Sequence, residues 1–339
     1  MTRTTHPLRI GVLGAARISD RSIVGPARAT GHHLFAVAAR DRARAESFAA
    51  THGIDRVLGS YADLVTDPSV DVVYNPLVNG LHGPWNLAAL AAGKHVLTEK
   101  PSAANAEEAR AVRAAAVESG AVFMEGFHYL FHPVTQRLHE LLASGELGEL
   151  RHVETVVNIP APAVSDPRWS LPLAGGALMD VGTYALHAQR MLARWAGGQP
   201  TLVTARAGER PGAPGIDEWL DAELAFPGGA TGTARCHMAF EEERMTCRIV
   251  GSDGAATAAN FVLPQHDDRV TVRTAAGGRV EKLGTRPSYD YQLEAFAAAV
   301  SDGAPLPLGP DDAVETMELI DACYRAAGLE PRPRSETAA

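Results

Sequence analysis

The chain has 339 residues, 46% hydrophobic and 21% charged, so it can bury a sizeable core and is not intrinsically disordered. Its length suits two domains of roughly 150 residues each. With 31 basic and 40 acidic residues, the net charge of −9 argues against a nucleic-acid partner held through its phosphates. The apolar runs are too short for a membrane span, and the polar residues 1–6 lack the pattern of a signal peptide.

Strand and helix patterns alternate over the first 125 residues. Apolar strand patterns occupy residues 8–13, 34–39, 70–75, 95–98 and 122–125, and helix patterns occupy 19–30, 42–52, 85–92 and 105–119. The last helix has a capping-box-like start at Asn105 and Glu108 and ends at Gly120. Uninterrupted apolar strands between helices predict a parallel sheet covered on both faces, an α/β doubly wound Rossmann domain over residues 1–125.

The pattern changes after residue 125. Helix patterns at 133–144 and 178–195 flank a strand at 150–158, and a strand-rich region with a Pro227-Gly228-Gly229 hairpin signal runs from 201 to 283. Helices at 289–301 and 311–327 follow. These features predict a second, α+β domain over residues 126–329. Its large sheet is mostly antiparallel with one face open, and a disordered Pro/Arg-rich tail covers 330–339.

The turn after the first strand is a candidate dinucleotide site. The fingerprint G-x-G-x-x-G/A lets backbone approach a pyrophosphate at a helix N-terminus. Here Gly14 remains, while Ala16 and Ser19 replace the other glycines, so a tight turn without a ligand is the alternative. Its place on the first strand of an α/β domain favours a dinucleotide held by Gly14, Ala15, Ala16, Arg17 and Ile18.

The end of the second strand indicates which dinucleotide binds. NAD enzymes carry an Asp or Glu there for the ribose hydroxyl, whereas Arg accommodates a 2′-phosphate. This chain has Ala39 followed by Arg40, which favours NADP, with NAD as the alternative. Asp41 is poor evidence for NAD because it suits a helix N-cap. The alternative is that Arg40 is a solvated residue at the start of a helix and does not bind the cofactor.

Glu99-Lys100-Pro101 follows the fourth strand, at the edge of an open α/β sheet where ligands bind. Pro101 restricts the backbone and so holds Lys100 at that edge. The tripeptide alone does not exclude a surface lysine paired with Glu99.

Together these stretches resemble the glucose-fructose oxidoreductase/inositol dehydrogenase/MocA (Gfo/Idh/MocA) oxidoreductases. The matching stretches, in order, are residues 14–19, 75–82, 91–96, 99–101, 125–133 and 175–184. The Ala38-Ala39-Arg40-Asp41 stretch and Tyr184 are most similar to the branch of dimeric dihydrodiol dehydrogenase and D-xylose dehydrogenase. The resemblance implies a Rossmann domain followed by an α+β domain whose open sheet forms a homodimer or homotetramer.

The resemblance also implies the roles of site residues. The cofactor is lined further by Leu77, Asn79, His82 and Glu99, although His82 also suits a helix start. Lys100 bonds the reacting oxygen, and Asp180 and Tyr184 complete the catalytic group. By spacing alone, Asp180 and Tyr184 share one helix face after a Gly175-Gly176 turn. Tyr184 stands where many members have His, so the proton donor is either Tyr184 or Lys100.

Substrate contacts are expected from His128, Tyr129, Arg168 and Trp169, where the family's pocket opens. The flat indole of Trp169 beside the guanidinium of Arg168 suits a sugar or cyclic polyol. His132 and His187 are expected to be structural. No metal is expected, because His, Cys and Asp residues show no ligand spacing. Cys236, Cys247 and Cys323 lie far apart, which predicts free thiols in a reducing cytoplasm.

The predicted function is an NADP-dependent oxidoreductase that moves a hydride between nicotinamide and a hydroxyl or keto carbon of a sugar, cyclitol or dihydrodiol. Two alternatives stay open: an NAD-dependent inositol-type dehydrogenase, and a non-catalytic NADP(H)-binding sensor or partner subunit. The presence of Lys100, Asp180 and Tyr184 together disfavours the sensor.

Overall fold

The computed structural model describes residues 7–335; the N-terminal segment 1–6 and the tail residues 336–339 lie outside the described residues. Contacts divide the chain into two compact units. Of the described residues, the first unit contains 7–127, 289–314 and 335, and the second contains 128–288 and 315–334. The sequence pattern placed 289–314 in the second domain. Ala313 from this segment is instead buried in the hydrophobic cluster of the first unit, together with Val73 and Val96.

The first unit is built on a six-stranded parallel sheet. Its strands are β1 (Arg9–Leu13), β2 (His33–Ala38), β3 (Arg56–Val57), β4 (Val72–Asn75), β5 (His95–Thr98) and β6 (Phe123–Glu125). Their order is β3-β2-β1-β4-β5-β6. Every residue of β4 is buried, as expected of a strand covered on both faces. The predicted doubly wound sheet is confirmed.

Five helices connect these strands: α1 (Gly25–Thr30), α2 (Arg42–His52), α3 (Tyr61–Thr66), α4 (His82–Ala91) and α5 (Ala106–Ser119). The Asp41 carboxylate caps α2, and the Asn105 side chain caps α5 by accepting the N–H of Glu108, as predicted. A π-helical turn, Asp20–Val24, precedes α1 where the sequence pattern predicts a regular helix.

The second unit is built on an eight-stranded sheet. Its strands are β7 (Leu150–Asn158), β8 (Thr201–Glu209), β9 (Asp217–Ala225), β10 (Thr231–His237), β11 (Arg244–Gly251), β12 (Gly254–Ala258), β13 (Arg269–Thr274) and β14 (Gly277–Lys282). The order is β14-β13-β12-β11-β7-β10-β9-β8. Neighbouring strands are antiparallel except β7 and β10, which confirms the predicted, mostly antiparallel sheet.

The remaining helices are α6 (Pro133–Ala143), α7 (Thr183–Arg190), α8 (Ser288–Asp302) and α9 (Pro310–Ala326). The single helix predicted over 178–195 is wrong. The chain forms a π-helical turn at Leu178–Gly182, then α7, then a 3-10 turn at Ala193–Trp195. Gly182 allows a close approach to β10, because a Cβ there would lie 2.6 Å from Sγ of Cys236.

The segment after α9 is ordered at Arg332, where the sequence composition predicts disorder. This side chain is 1% exposed. Its Nε donates to the carbonyl of Gly175 (2.6 Å) and its Nη1 donates to the carbonyl of Gly215 (2.9 Å). Composition misleads here because a guanidinium can be buried when carbonyl and carboxylate oxygens surround it.

Among residues 7–335, no helix is long and apolar enough to cross a lipid bilayer. The three cysteines are free, as predicted, and all three are buried. Burial raises the pKa of the Cys247 and Cys323 thiols to about 12, and it also raises the pKa of the Cys236 thiol.

Candidate active site

The turn after β1 has the geometry of a phosphate cradle. Gly14 has a φ of +83°, and its N–H donates to the carbonyl of Ala38 at the end of β2 (2.6 Å). A Cβ at this position would lie 3.0 Å from Cδ2 of Leu77 and 3.6 Å from the hydroxyl of Tyr61. Glycine therefore keeps open a space in which backbone can approach a pyrophosphate.

The next residues lead into the π-helical turn. Ala15, Ala16 and Ile18 are half-buried and Arg17 is exposed. The hydroxyl of Ser19 is fully buried and, among the described residues, has no hydrogen-bond partner. Burying an unpaired hydroxyl costs free energy, so the Ser19 hydroxyl is available to form a hydrogen bond with a ligand. This donor set fits a dinucleotide phosphate.

Two arginines lie beside this cradle. Arg40 follows β2 and is exposed, and Nη2 of Arg44 donates to the carbonyl of Ala15 (2.9 Å). Burial raises the pKa of Tyr61, while the charges of Arg40 and Arg44 oppose that rise, so both charges act near the turn. The sequence motif does not single out Arg44; its only signal is the i, i+4 spacing from Arg40. The pair suits a 2′-phosphate.

His82 braces the two segments expected to line the cofactor. Its ring is 1% exposed, and Nδ1 and Nε2 lie 2.6 Å and 2.7 Å from the carbonyl oxygens of Pro101 and Leu77. Burial lowers the pKa of His82 to about 4, and the Lys100 charge adds to this effect against the two carbonyls. Leu77 and Asn79 are half-buried. The structure thus places His82 inside the unit, where it holds Leu77 in place.

Glu99 lies beneath the end of β5, next to Lys100. Its carboxylate is 6% exposed and accepts a hydrogen bond from the hydroxyl of Tyr74 (2.9 Å), which also lies 2.6 Å from Oγ of Ser22. Burial raises the pKa of Glu99, and the ammonium charge of Lys100 opposes the rise. Lys100 itself is half-buried and is joined to Pro101 by a cis peptide. Glu99 therefore supports the segment that carries Lys100 from within.

Asp180 lies on the π-helical turn of the second unit. Its Oδ2 is 3.3 Å from Nη1 of Arg168, and Arg168 is also held by Asp166 (Nε to Oδ1, 3.0 Å). The N–H of Gly176 donates to the carbonyl of Arg168 (2.9 Å). The structure thus joins two residues that the sequence assigned separately to catalysis and to substrate binding.

Tyr184 lies in the first turn of α7 and is 6% exposed. Its hydroxyl is 3.3 Å from Nε2 of His128, whose Nδ1 is 2.8 Å from Oγ of Ser288. His128 is 1% exposed and both of its ring nitrogens have partners within the unit, so its contact with substrate stays a prediction. It lies behind Tyr184. Ser288 carries no sequence signal, because it is 160 residues away along the chain.

Trp169 is 8% exposed and lies close to Arg168 in a 3-10 turn. Its indole N–H donates to the carbonyl of Pro162 (3.4 Å), and the guanidinium carbon of Arg210 lies 3.8 Å from the ring centroid. Arg210 was not expected from the sequence. It covers one face of the ring and fixes its orientation.

The neighbouring aromatic and histidine side chains have structural partners. The hydroxyl of Tyr129 lies 2.6 Å from Nδ1 of His187, and both residues are buried. Nδ1 of His132 accepts the N–H of Val134 and caps α6. Within the described part of the chain, no group of three or more His, Cys, Asp or Glu side chains is arranged to hold a metal ion.

Both parts of the chain match known protein families. Residues 8–127 match the family described as "Oxidoreductase family, NAD-binding Rossmann fold", and residues 135–257 match the "GFO/IDH/MocA C-terminal domain". The chain is 37% identical to D-xylose 1-dehydrogenase (NADP(+)) 2 of Haloferax volcanii over 324 residues, covering 94% of this chain and 97% of the relative. The chain belongs to the Gfo/Idh/MocA oxidoreductases.

This Gfo/Idh/MocA protein is also 34% identical to the trans-1,2-dihydrobenzene-1,2-diol dehydrogenase of Sus scrofa, over 74% of this chain and 73% of the relative. Among solved structures it resembles KijD10, a 3-ketoreductase from Actinomadura kijaniata in complex with NADP and TDP-benzene. The TM-score is 0.87 at 28% identity, covering 95% of this chain and 98% of KijD10. The predicted family, its branch, the oxidoreductase class and a nicotinamide dinucleotide as cofactor are thereby confirmed.

Proposed function

We propose that this oxidoreductase uses NADP to move a hydride between nicotinamide and a hydroxyl or keto carbon of a sugar, cyclitol or dihydrodiol. The observation that carries the choice of NADP is the pair Arg40 and Arg44 beside the Gly14 turn, with Ala39 in place of a carboxylate. The D-xylose relative is named for NADP(+), and KijD10 was solved with NADP, which supports the same choice.

The first unit binds the cofactor, as proposed for residues 1–125, and the second binds the substrate, as proposed for residues 126–329. When bound, nicotinamide supplies or accepts the hydride at its C4. Lys100 bonds the reacting oxygen and stabilises negative charge that develops there. Tyr184 exchanges the proton, and Asp180, held by Arg168, orients the substrate hydroxyl.

The substrate is a small hydroxyl-rich ring. Arg168 offers a charged fork and lies beside the indole of Trp169, a combination that suits polar groups on a ring with an apolar face. A TDP-linked keto sugar is the second candidate, because the similarity to the 3-ketoreductase KijD10 covers 95% of the chain. In that case the enzyme works as a reductase.

A substrate panel tests this proposal. D-xylose, other sugars, inositols, a dihydrodiol and a TDP-linked keto sugar are screened with NADP and NAD by the absorbance of the reduced cofactor. Lys100→Met should abolish most turnover and retain NADP binding, whereas Lys282→Met, at an exposed lysine of β14, should behave as wild type. If no substrate turns over and Lys100→Met binds partners normally, the non-catalytic sensor is the correct interpretation.

We propose that the protein forms a homodimer or homotetramer through the sheet of the second unit. The sheet carries a groove of about 370 Å³ lined by side chains that include Trp219, Arg235 and Phe240, and Phe240 is 44% exposed. Aromatic residues and arginine are enriched at protein–protein interfaces, which supports association through this face. Light scattering should give a multiple of the chain mass, and Phe240→Asp should reduce that mass; a monomeric wild type would contradict the proposal.

We also propose that the protein works in the cytoplasm. The support is that all three cysteines are free, as expected in a reducing compartment. Fractionation of the source cells, with the protein detected by antibody, tests this location.

A further inference from the structure

Four side chains of the second unit form a hydrogen-bonded chain that ends at Tyr184. The Tyr184 hydroxyl lies 3.3 Å from Nε2 of His128, Nδ1 of His128 lies 2.8 Å from Oγ of Ser288, and Oγ of Ser288 lies 3.2 Å from Oε1 of Gln265. His128 and Ser288 are 1% and 0% exposed, whereas Gln265 is half-buried. The four residues come from separate segments, so tertiary structure brings them together.

The chemistry of the members sets the direction of the chain. Oε1 of Gln265 only accepts, so the Ser288 hydroxyl donates to it, and Oγ of Ser288 accepts the Nδ1–H of His128. The hydrogen-bond pattern therefore assigns His128 to the Nδ1–H tautomer, with Nε2 as an acceptor. Tyr184 donates its hydroxyl proton to Nε2, and the Tyr184 oxygen keeps lone pairs that can accept a substrate hydroxyl.

We propose that His128 is the proton partner of Tyr184 and that Ser288 holds the imidazole in the tautomer this requires. The inference rests on the proposed role of Tyr184. In alcohol oxidation, the substrate C–H bond breaks with its hydride passing to nicotinamide, and the hydroxyl proton passes to the Tyr184 oxygen. In the same step the original proton of Tyr184 passes to Nε2 of His128, which becomes an imidazolium, so the phenol stays neutral. Reduction runs the same transfers in reverse.

The Ser288 hydroxyl can accept a hydrogen bond from the His128 ring in both of its charge states. Nδ1 of His128 carries a hydrogen in the neutral tautomer and in the imidazolium, so its bond to Ser288 persists throughout the transfer. Only Nε2 gains or loses a proton, and only Nε2 faces Tyr184. In the Ser-His-Asp triad, too, a buried partner bonds one nitrogen of the histidine and holds the ring in one tautomer, while the other nitrogen transfers the proton.

The first test requires no turnover. Nitrogen NMR of the cofactor-free protein, with 15N-labelled histidine, should show His128 protonated at Nδ1 and unprotonated at Nε2, the signals being assigned by their loss in His128→Gln. Ser288→Ala should shift the ring toward the other tautomer. A wild-type His128 that carries its proton on Nε2 would overturn the proposal.

The second test follows the proton in the enzyme. His128→Gln should lower kcat for oxidation on the order of a hundredfold, with little change in KM, and should remove the imidazole limb of the pH profile. Ser288→Ala, which alters less of the interior, should give a smaller loss in the same direction. His187→Gln is the matched control, since His187 bonds Tyr129 and should leave the pH profile in place.

The outcomes separate the two proposals. NADP binding, measured by fluorescence, verifies that each variant is folded. If Tyr184→Phe retains full activity, the proposed role of Tyr184 fails. If Tyr184→Phe is inactive but His128→Gln keeps the wild-type pH profile, the role of His128 fails and the proposed function stands.

Discussion

Arg332 and Asp217 form a buried ion pair in the second unit, with Nη2 of the guanidinium bonded directly to Oδ1 of the carboxylate and side-chain exposures of 1% and 0%. Oδ2 of Asp217 accepts the N–H of Leu178 (2.7 Å), at the start of the π-helical turn that carries Asp180. Nε of Arg332 holds the carbonyl of Gly175 just before that turn (2.6 Å). A residue near the end of the chain therefore fixes the backbone from which Asp180 projects.

Loss of this pair should be strongly destabilising. Arg332→Ala leaves the Asp217 carboxylate buried without its counter-charge, and breaking such a pair costs about 3–5 kcal/mol of unfolding free energy. Arg334→Ala, two residues on at an exposed position, should change stability by no more than about 0.5 kcal/mol. Urea unfolding of both variants checks this expectation. Equal stabilities would show that the ion pair is not what holds the segment in place.

Gly176 should tolerate no side chain. Its φ is +121°, and a Cβ there would collide with the carboxylate of Asp217 and the guanidinium of Arg332. Gly145→Ala is the matched control, because Gly145 has a φ of +74° with nothing within 4 Å. The control should lose about 1–2 kcal/mol from backbone strain alone, and Gly176→Ala should lose roughly 1–3 kcal/mol more from overpacking. Thermal or urea unfolding measures the difference, and equal losses would contradict the collision.

Removal of the Arg40 guanidinium should discriminate between cofactors. A hydrogen bond to a charged group contributes about 1.5–3 kcal/mol, so Arg40→Ala should weaken NADP binding roughly tenfold to hundredfold while NAD binding changes little. Arg42→Ala is the control, since Arg42 points to Glu46 (2.8 Å) on the exposed side of α2. Fluorescence titration with both cofactors is the measurement. Unchanged NADP affinity in Arg40→Ala would refute the assignment of the 2′-phosphate site.

Acid should destabilise the protein partly through Glu281. The hydrogen bond from Arg137, aided by Arg279, lowers the pKa of Glu281 from 4.5 to about 2. Because the folded value is the lower one, ionised Glu281 stabilises the fold above pH 4.5, and this contribution is lost as the pH falls toward 2. Unfolding free energies measured across that interval should therefore fall more steeply for the wild type than for Glu281→Gln. Parallel curves would show that the carboxylate is not stabilised.

Much of the first unit could be predicted from local patterns. Strand β5 was predicted at its observed bounds, because its apolar run begins soon after Gly93 and ends at a polar residue. The break in the helix predicted over 178–195 has no local sequence signal, since Gly182 approaches Cys236 on a distant strand. Arg332 escaped prediction for the same reason, because its partners are distant in the sequence.

The residues of the candidate site likewise fall into two groups, those that a sequence signal identifies and those that only the fold brings together. Gly14, Lys100, Asp180 and Tyr184 are singled out by motif, spacing and resemblance to the family. Their supporting residues carry no such signal. Ser288 is an ordinary serine until the fold brings it to His128, so sequence patterns identify candidate reactive groups more readily than the side chains that orient them.

The enclosed sulfur atoms of Cys236, Cys247 and Cys323 have a practical consequence. Thiols that stay protonated and inaccessible do not react with maleimides at neutral pH. A cysteine introduced at an exposed position of either unit is therefore the sole attachment point for a dye in the folded protein, and the native thiols can be left in place. Single-molecule fluorescence on such labelled variants can follow ligand-induced motion without a cysteine-free background.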